Sequence, residues 1–318
     1  MQDEIVKFLK NHDGYISGEE ISRALKVSRT AVWKCIEELR TSGYEIEAVP
    51  HLGYRLTLSP DKLFPHEIQF DLKTQFIGRK IFHYDSVPST MDAAFRLGME
   101  GEPEGSVVVA EGQLKGKGRL GRTWASPKGK GIYMSVIFRP AMTATEVSHL
   151  TLMSAVAVCE AVNNISAVQA VIKWPNDVLI GTKKLAGILT ELHAEVDRVR
   201  FCVVGIGLNV NTPLNVLPPH STSLKHEAGK SFSRVALVRE ILSSLELWYG
   251  RLKEDGFSAV INRWTELTQT IGRRVRIVDA YGETEGEAVG LDVTGGLMVR
   301  NDAGLIIKKM AGDVVVIR

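Results

Sequence analysis

The sequence predicts an α+β fold in three segments: a helical segment closed by a hairpin, a large segment on a mixed or antiparallel sheet, and a small all-β tail. Three observations carry that expectation. Residues 1–58 read as three short helices followed by a hairpin. Across 59–268, strand patterns come in clusters between few helices instead of alternating with them, as a doubly wound parallel sheet would require. From 269 to 318 only short alternating strands remain, separated by turns such as Asp302-Ala303-Gly304. A chain of 318 residues, 44% hydrophobic and 24% charged, is long and apolar enough to give each segment its own core.

In the first segment, EIVKFLKNH places Ile5, Phe8 and Leu9 on one helical face. Ser17-x-x-Glu20 is a capping box opening a second helix that buries Ile21 and Leu25, and KVS is a tight turn. A third helix runs from a Ser28 cap to Gly43, with Ala31 or Val32, Cys35 or Ile36, and Leu39 inward and Arg29, Thr30, Trp33, Lys34 and Arg40 outward. YEIEAVPHLGYRLTL then alternates about a Pro-His-Leu-Gly turn, as a two-stranded wing does. This order resembles a winged helix-turn-helix, whose third helix enters the DNA major groove. Any small three-helix domain has a polar face too, but the wing is a further coincidence. Arg29, Thr30, Trp33, Lys34, His51 and Arg55 are the candidates for DNA contact.

In the second segment KIFHYDSV and SVVVAEGQ read as strands flanking a helix that begins near Thr90, and GIYMSVIFRP as another strand. Thr143-x-x-Glu146 caps a long helix; AVIKW, DVLI, KLAGILTEL and RFCVVGIGLNV are strands, followed by two more helices up to residue 268. The tail offers RRVRIV, GEAVGLDV, GLMVR, GLIIKK and DVVVIR, the strands of a small β-barrel.

Several function classes are excluded early. No apolar run approaches the ~20 residues of a membrane span, and the start MQDEIVKFLK lacks the pattern of a secretory leader, so a cytoplasmic location is expected. Cys35, Cys159 and Cys202 are widely spaced with no Cys-x-x-Cys, and the eight histidines form no His-Glu-x-x-His, so no protein-bound metal is expected. A net charge of +2 says little until the basic residues are located.

They concentrate in GKGRLGRT, residues 116–123. Gly116, Gly118 and Gly121 satisfy Gly-x-Gly-x-x-Gly, yet a dinucleotide fold needs a helix after that loop, and TWASPKGKGIYMSV continues into a strand. A P-loop fails likewise, with Arg122 where lysine should stand, and no kinase motifs follow. What remains is a loop whose amides and cations Lys115, Lys117, Arg119 and Arg122 suit a phosphate or carboxylate, or else a solvated basic loop. Ordering such a tract costs ~1–2 kcal/mol per residue, so it is expected to be floppy until an anion neutralises it. Further on, Lys173-Trp174-Pro175-Asn176-Asp177 ends one strand and Lys184 opens the next, across a hairpin turning at Gly181. Lys184 there suits a carboxylate and the phosphate it attacks, and Asp177 a metal or incoming amine; the pair equally reads as an exposed salt bridge.

With DSVPST at 85–90, GKGRLGR after Gln113, KWPND with KKLAGIL, and GIGLNV at 205–210, all in order, the chain resembles the bifunctional biotin–protein ligases that also repress transcription. The likeness covers essentially the whole sequence. It implies a class II synthetase-like central domain and an SH3-like terminal barrel. It also implies biotin and ATP as substrates, Mg2+ arriving with ATP, and biotinyl-5′-AMP as the intermediate. A biotin-carrier domain of a biotin-dependent carboxylase would be the acceptor, with operator DNA bound by a homodimer carrying biotinyl-AMP. Carried over by position, Ser89, Thr90, Met91, Gln113, Lys117, Gly118, Arg119 and Lys184 would bind biotin. Gly116, Gly121, Arg122, Trp124, Asn176, Asn209 and Arg318 would serve the nucleotide, and Lys184, Arg119 and Asp177 the chemistry. Two positions depart from the family's pattern: Lys117 replaces a common arginine and Met91 a common asparagine. A lipoate-type ligase and a non-catalytic ligand-sensing repressor are the competing readings.

Overall fold

A computed structural model of the chain describes residues 1–196 and 198–317. The chain forms two compact units, Met1–Asp71 and Leu72–Arg318.

The first unit contains α1 (Gln2–Lys10), α2 (Gly18–Leu25), α3 (Arg29–Thr41), β1 (Glu45–Val49), β2 (Gly53–Leu58) and α4 (Pro65–Gln69). Ser17 and Ser28 accept the amides of Glu20 and Ala31, both at 3.1 Å, so each helix starts where its cap residue stands. Ile5, Val6, Leu9, Ile21, Val32, Cys35, Ile36 and Leu39 form the core; Phe8 and Leu25 pack at its edge. Arg40, expected outside, instead turns its guanidinium onto the carbonyl of Ile46 at 3.1 Å, fastening the start of the wing to α3. The wing is antiparallel, and Gly53 is obligatory: at φ +108° a Cβ would sit 2.0 Å from the carbonyl oxygen of Ile16, which pairs with Tyr54. The unit runs beyond residue 58 because α4 is bound by a buried polar chain. Tyr44 donates to Glu67 (2.8 Å), Lys10 pairs with Glu67 (2.5 Å), and His66 meets Asp3 (2.7 Å).

The second unit is built on β3 (Ile81–Tyr84), α5 (Thr90–Met99), β4 (Val107–Ala110), β5 (Ile132–Phe138), α6 (Val147–Ile165), β6 (Ala170–Lys173), β7 (Asp177–Ile180), β8 (Lys183–Glu195) and β9 (Arg198–Leu208). Helices α7 (Leu224–Ala228), α8 (Arg234–Glu254) and α9 (Phe257–Leu267) follow, then strands β10 (Arg274–Asp279), β11 (Gly282–Leu291), β12 (Leu297–Arg300), β13 (Ile306–Lys309) and β14 (Asp313–Val316). The first seven strands form one sheet in the order β3-β4-β5-β9-β8-β7-β6. Only β3 and β4 run parallel, because the helix α5 carries the chain across between them; the remaining pairs are antiparallel, giving the mixed sheet expected. Helix α6 is buried on nearly all sides because it touches β6 and β8 as well as α8 and α9. The tail is a five-stranded antiparallel sheet, β13-β12-β11-β10-β14. Its turn at Gly295 accepts a hydrogen bond from the indole of buried Trp174 (3.1 Å), joining it to the end of β6.

At the start of α8, Arg234 is 2% exposed and pairs at 2.9 Å with Glu111, which is 4% exposed. Removing the guanidinium takes away the permanent cation beside a buried carboxylate, and breaking such a pair costs ~3–5 kcal/mol. Arg234→Ala is therefore expected to lower the thermal midpoint by roughly 10 °C, read by calorimetry; a shift within a degree or two would refute it.

Candidate functional site

On α3, Arg29, Thr30, Trp33 and Lys34 are all exposed. Trp33, 52% accessible, is a large apolar side chain that the fold leaves uncovered. Arg29 is held by Glu19 at 3.1 Å. His51 sits at the wing tip with a left-handed backbone, φ +68°. Arg55 pairs with Glu47 at 2.7 Å and lies over the ring of Tyr15. The outer face of α3 and the wing tip thus carry the six expected residues.

In the second unit the pocket forms where three glycines interrupt β8 and β9. Gly187 is paired with Gly207, and Leu189 with Gly205. A Cβ on Gly207 would come within 2.4 Å of the Trp124 indole, one on Gly187 within 3.0 Å, and one on Gly205 within 2.4 Å of the Met91 sulfur. Trp124 is therefore seated against bare backbone, and Met91 fills the next position. Gly207→Ala is expected to displace the indole and reduce adenylate formation ~10-fold or more while the fold persists, since such overpacking costs ~1–3 kcal/mol. Tryptophan fluorescence and single-turnover rates test it; unaltered values for both would sink the idea.

The basic glycine loop hangs over this floor as a small hairpin. The Gly118 amide donates to the Arg122 carbonyl (2.7 Å) and the Trp124 amide to that of Gly116 (2.8 Å). Its tip is one 3-10 turn, Arg119–Gly121, in which Leu120 and Gly121 have positive φ. Gly116 has no room for a side chain: a Cβ would lie 2.5 Å from the Trp124 carbonyl oxygen. The loop is thus a hairpin held by its own backbone as well as a basic tract. Its cations already have counter-groups: Lys117 is paired with Asp92 and lies 3.8 Å from Glu191, Arg122 is paired with Asp313, and Arg119 donates to Asn176 Oδ1 at 2.7 Å. The hydrogen bond to Asp92 raises the Lys117 ammonium above its usual value. Burial lowers that of Arg119, against the pull of Asp177 and Asp313.

Lys184 Nζ lies 2.7 Å from Asp177 Oδ1, as the hairpin between β7 and β8 implies, and 5.6 Å from the Trp124 ring centre. At 34% and 19% exposure the pair is neither a free surface bridge nor a sealed one. Opposite, Gln113 Oε1 accepts from the Thr90 amide (2.9 Å) and hydroxyl (3.2 Å), and its amide donates to Ser126 (2.9 Å). Thr90, Met91, Gln113, Lys117, Gly118, Arg119, Arg122, Trp124, Asn176, Asp177 and Lys184 line one pocket. A neighbouring groove shares Arg122, Trp124, Asp177 and Lys184 and adds Lys173, Asn209 and His220.

Other expected residues stand apart. Ser89 is fully buried and absent from the pocket lining, its hydroxyl accepting the Met91 amide (3.2 Å) as the cap of α5. Gly116 and Gly121 shape the loop without lining the pocket. Asn209 is buried and donates to the Thr222 carbonyl (3.0 Å). Arg318 lies outside the described residues. Sequence reading missed Asp92, Glu191 and Asp313 as partners of the loop, and Gly187, Gly205 and Gly207 as its floor. The glycines had a signal, standing within KKLAGIL and GIGLNV; Asp313 had none, coming from a strand far along the chain.

Residues 84–211 match the Biotin/lipoate A/B protein ligase family, residues 2–55 an HTH domain, and residues 270–316 the Biotin protein ligase C terminal domain. The chain is 42% identical over 308 residues to the bifunctional ligase/repressor BirA of Bacillus subtilis, covering 96% of this chain and 95% of that protein. To BirA of Escherichia coli it is 30% identical, covering 98% and 95%. The biotin protein ligase of Aquifex aeolicus, solved in complex with biotin and ATP, aligns with a TM-score of 0.65 and 29% identity over 76% of this chain and 99% of that one. Sharing sequence along nearly its full length with bifunctional ligase/repressor proteins, the chain belongs to the biotin–protein ligase family, in its bifunctional ligase/repressor branch.

Proposed function

We propose that the chain activates biotin with ATP to biotinyl-5′-AMP, transfers biotin to a lysine of a carboxylase's biotin-carrier domain, and represses transcription when carrying the adenylate. The observation that carries the ligase reading is the meeting of Lys117, Arg119 and Lys184 around one pocket floored by Trp124 on bare glycine backbone. In the first step biotin's carboxylate oxygen bonds to the α-phosphorus and the bond to pyrophosphate breaks. Negative charge grows on the phosphoryl oxygens, and cations already in place stabilise it without reorganisation. Lys184 would leave Asp177 for that charge. Lys117, Gly118 and Arg119 would cover the carboxylate, Thr90, Met91 and Gln113 the ring end, with Ser89 supporting from behind. Arg122, Trp124, Asn176 and Asn209 would serve the nucleotide, with Gly116 and Gly121 shaping the loop; Arg318 is retained for the same role. Mg2+ would be carried in on the triphosphate.

For the repressor, residues 1–58 supply Arg29, Thr30, Trp33, Lys34, His51 and Arg55 to operator DNA, residues 59–268 the ligase, and 269–318 the terminal domain. Dimerisation with biotinyl-AMP would present two recognition helices to a two-fold operator. Among the described residues no helix is long and apolar enough to cross a membrane, and a cytoplasmic site of action fits a DNA-binding ligase.

The deciding experiment is biotin-dependent exchange of labelled pyrophosphate into ATP, with lipoate and no-acid controls. Exchange with biotin alone is expected. Faster exchange with lipoate would favour the lipoate-type ligase, and biotin binding without exchange a sensor. Sedimentation with and without biotin and ATP tests the dimer: an unchanged monomer at micromolar protein would count against it.

A further inference from the structure

We propose that the acceptor lysine reaches the adenylate through a second groove, between α6 and the Gly295 turn of the terminal sheet. This rests on the ligase reading. The groove opens off the pocket on the side away from Lys173 and His220: it shares Arg119, Asn176, Ile188 and Leu189 with the pocket, but none of the residues lining the other groove. Arg119, donating to Asn176, stands at the junction.

The two mouths differ in charge. The first gathers Lys173, Lys184 and Arg122 around one carboxylate, Asp177, an excess of positive charge that suits phosphates and repels an ammonium ion. In the second, Arg119 is the one charged residue of the lining among the described residues. Leu152, Trp174 and Met310 supply apolar surface for a four-carbon stem, and the hydroxyls of Thr151 and Thr190, 2.8 Å apart, an acceptor for an N–H. Such a lining disfavours the charged form of an entering lysine, and only the neutral amine is a nucleophile. With biotin in the pocket and the nucleotide in the cationic mouth, the neutral groove is the remaining approach to the acyl carbon. The amine nitrogen bonds to that carbon, the carbon–oxygen bond to the phosphate breaks, AMP leaves with the electron pair, and the surplus proton passes to solvent.

The test separates the two half-reactions in the full-length protein. Thr151→Arg places a permanent cation within the groove; Met310→Arg does so at its rim, where Met310 is 49% exposed and outside the buried core. Both variants are expected to keep biotin-dependent pyrophosphate exchange within about 3-fold. Both should also form biotinyl hydroxamate when hydroxylamine replaces the protein acceptor. Transfer to a recombinant biotin-carrier domain of acetyl-CoA carboxylase should fall about 100-fold in kcat/KM. Should Thr151→Arg fail to fold, Met310→Arg alone decides. Unchanged carrier transfer in the folded variants, or exchange falling together with transfer, overturns the groove assignment. Absence of exchange in the unaltered protein would instead overturn the ligase reading itself.

Discussion

Replacing Lys184 with alanine is expected to cut biotin-dependent pyrophosphate exchange by about 10²–10³-fold, the range for deleting one preorganised charge-stabilising group. Lys184 lines the pocket, its ammonium 2.7 Å from Asp177 and 5.6 Å from the centre of the Trp124 ring. Its backbone is fixed independently: its amide donates to the His220 carbonyl (2.8 Å), and its carbonyl accepts from the Thr222 amide (2.9 Å). Truncating the side chain should therefore leave the strand in place, and biotin affinity should change less than the rate of the chemical step. Substitution also leaves Asp177 without its counter-ion, so Lys184→Ala/Asp177→Ala is the informative companion. If the loss came only from a stranded carboxylate, the double variant would recover; it is expected to stay inactive. A single-turnover rate near that of the unaltered protein would refute the role of Lys184.

Arg119→Gly should give the opposite kind of defect, an enzyme that forms its adenylate but fails to keep it. Arg119 sits on the 3-10 tip of the glycine loop and reaches Asn176 Oδ1 at 2.7 Å, closing the loop over the pocket. Asn176 keeps its other hydrogen bond, to the Ile188 carbonyl at 2.8 Å, so the wall beneath survives the loss. What goes is the cation proposed to cover the acyl phosphate, together with its hydrogen bond to Asn176, and hydrogen bonds to charged groups contribute ~1.5–3 kcal/mol. Release of biotinyl-AMP is expected to accelerate ~10–100-fold, followed by chasing labelled adenylate with unlabelled ligand, and released adenylate should label bystander lysines. Retention for as long as in the unaltered protein would exclude the lid role.

Much of the site was readable because its parts lie close in sequence. Asp177 and Lys184 stand on the two strands of one hairpin, Asp177 opposite Gly187 and Lys184 opposite Leu179, so a short connection brings their side chains within 2.7 Å. The winged segment was readable for the same reason: Ser17 and Ser28 cap their helices, and the wing turns at Pro50 to Gly53. Failures cluster where distant segments meet. Arg40 looks outward on a helical wheel but is recruited by Ile46. Nothing in the eight residues of the glycine loop reveals that Asp92, Glu191 and Asp313 stand beside its cations.

By itself, then, the sequence determined the α+β class, the winged helix, the hairpin of Asp177 and Lys184 and the glycine loop, all governed by periodicity, capping and turn chemistry acting over a few residues. Tertiary structure decided which glycines must stay bare beneath Trp124, which carboxylates stand in for an anion, and how two grooves of unlike charge come to flank one pocket. Those features depend on side chains from separate strands arriving within a few ångströms of one another, and sheet order and strand register set that arrival.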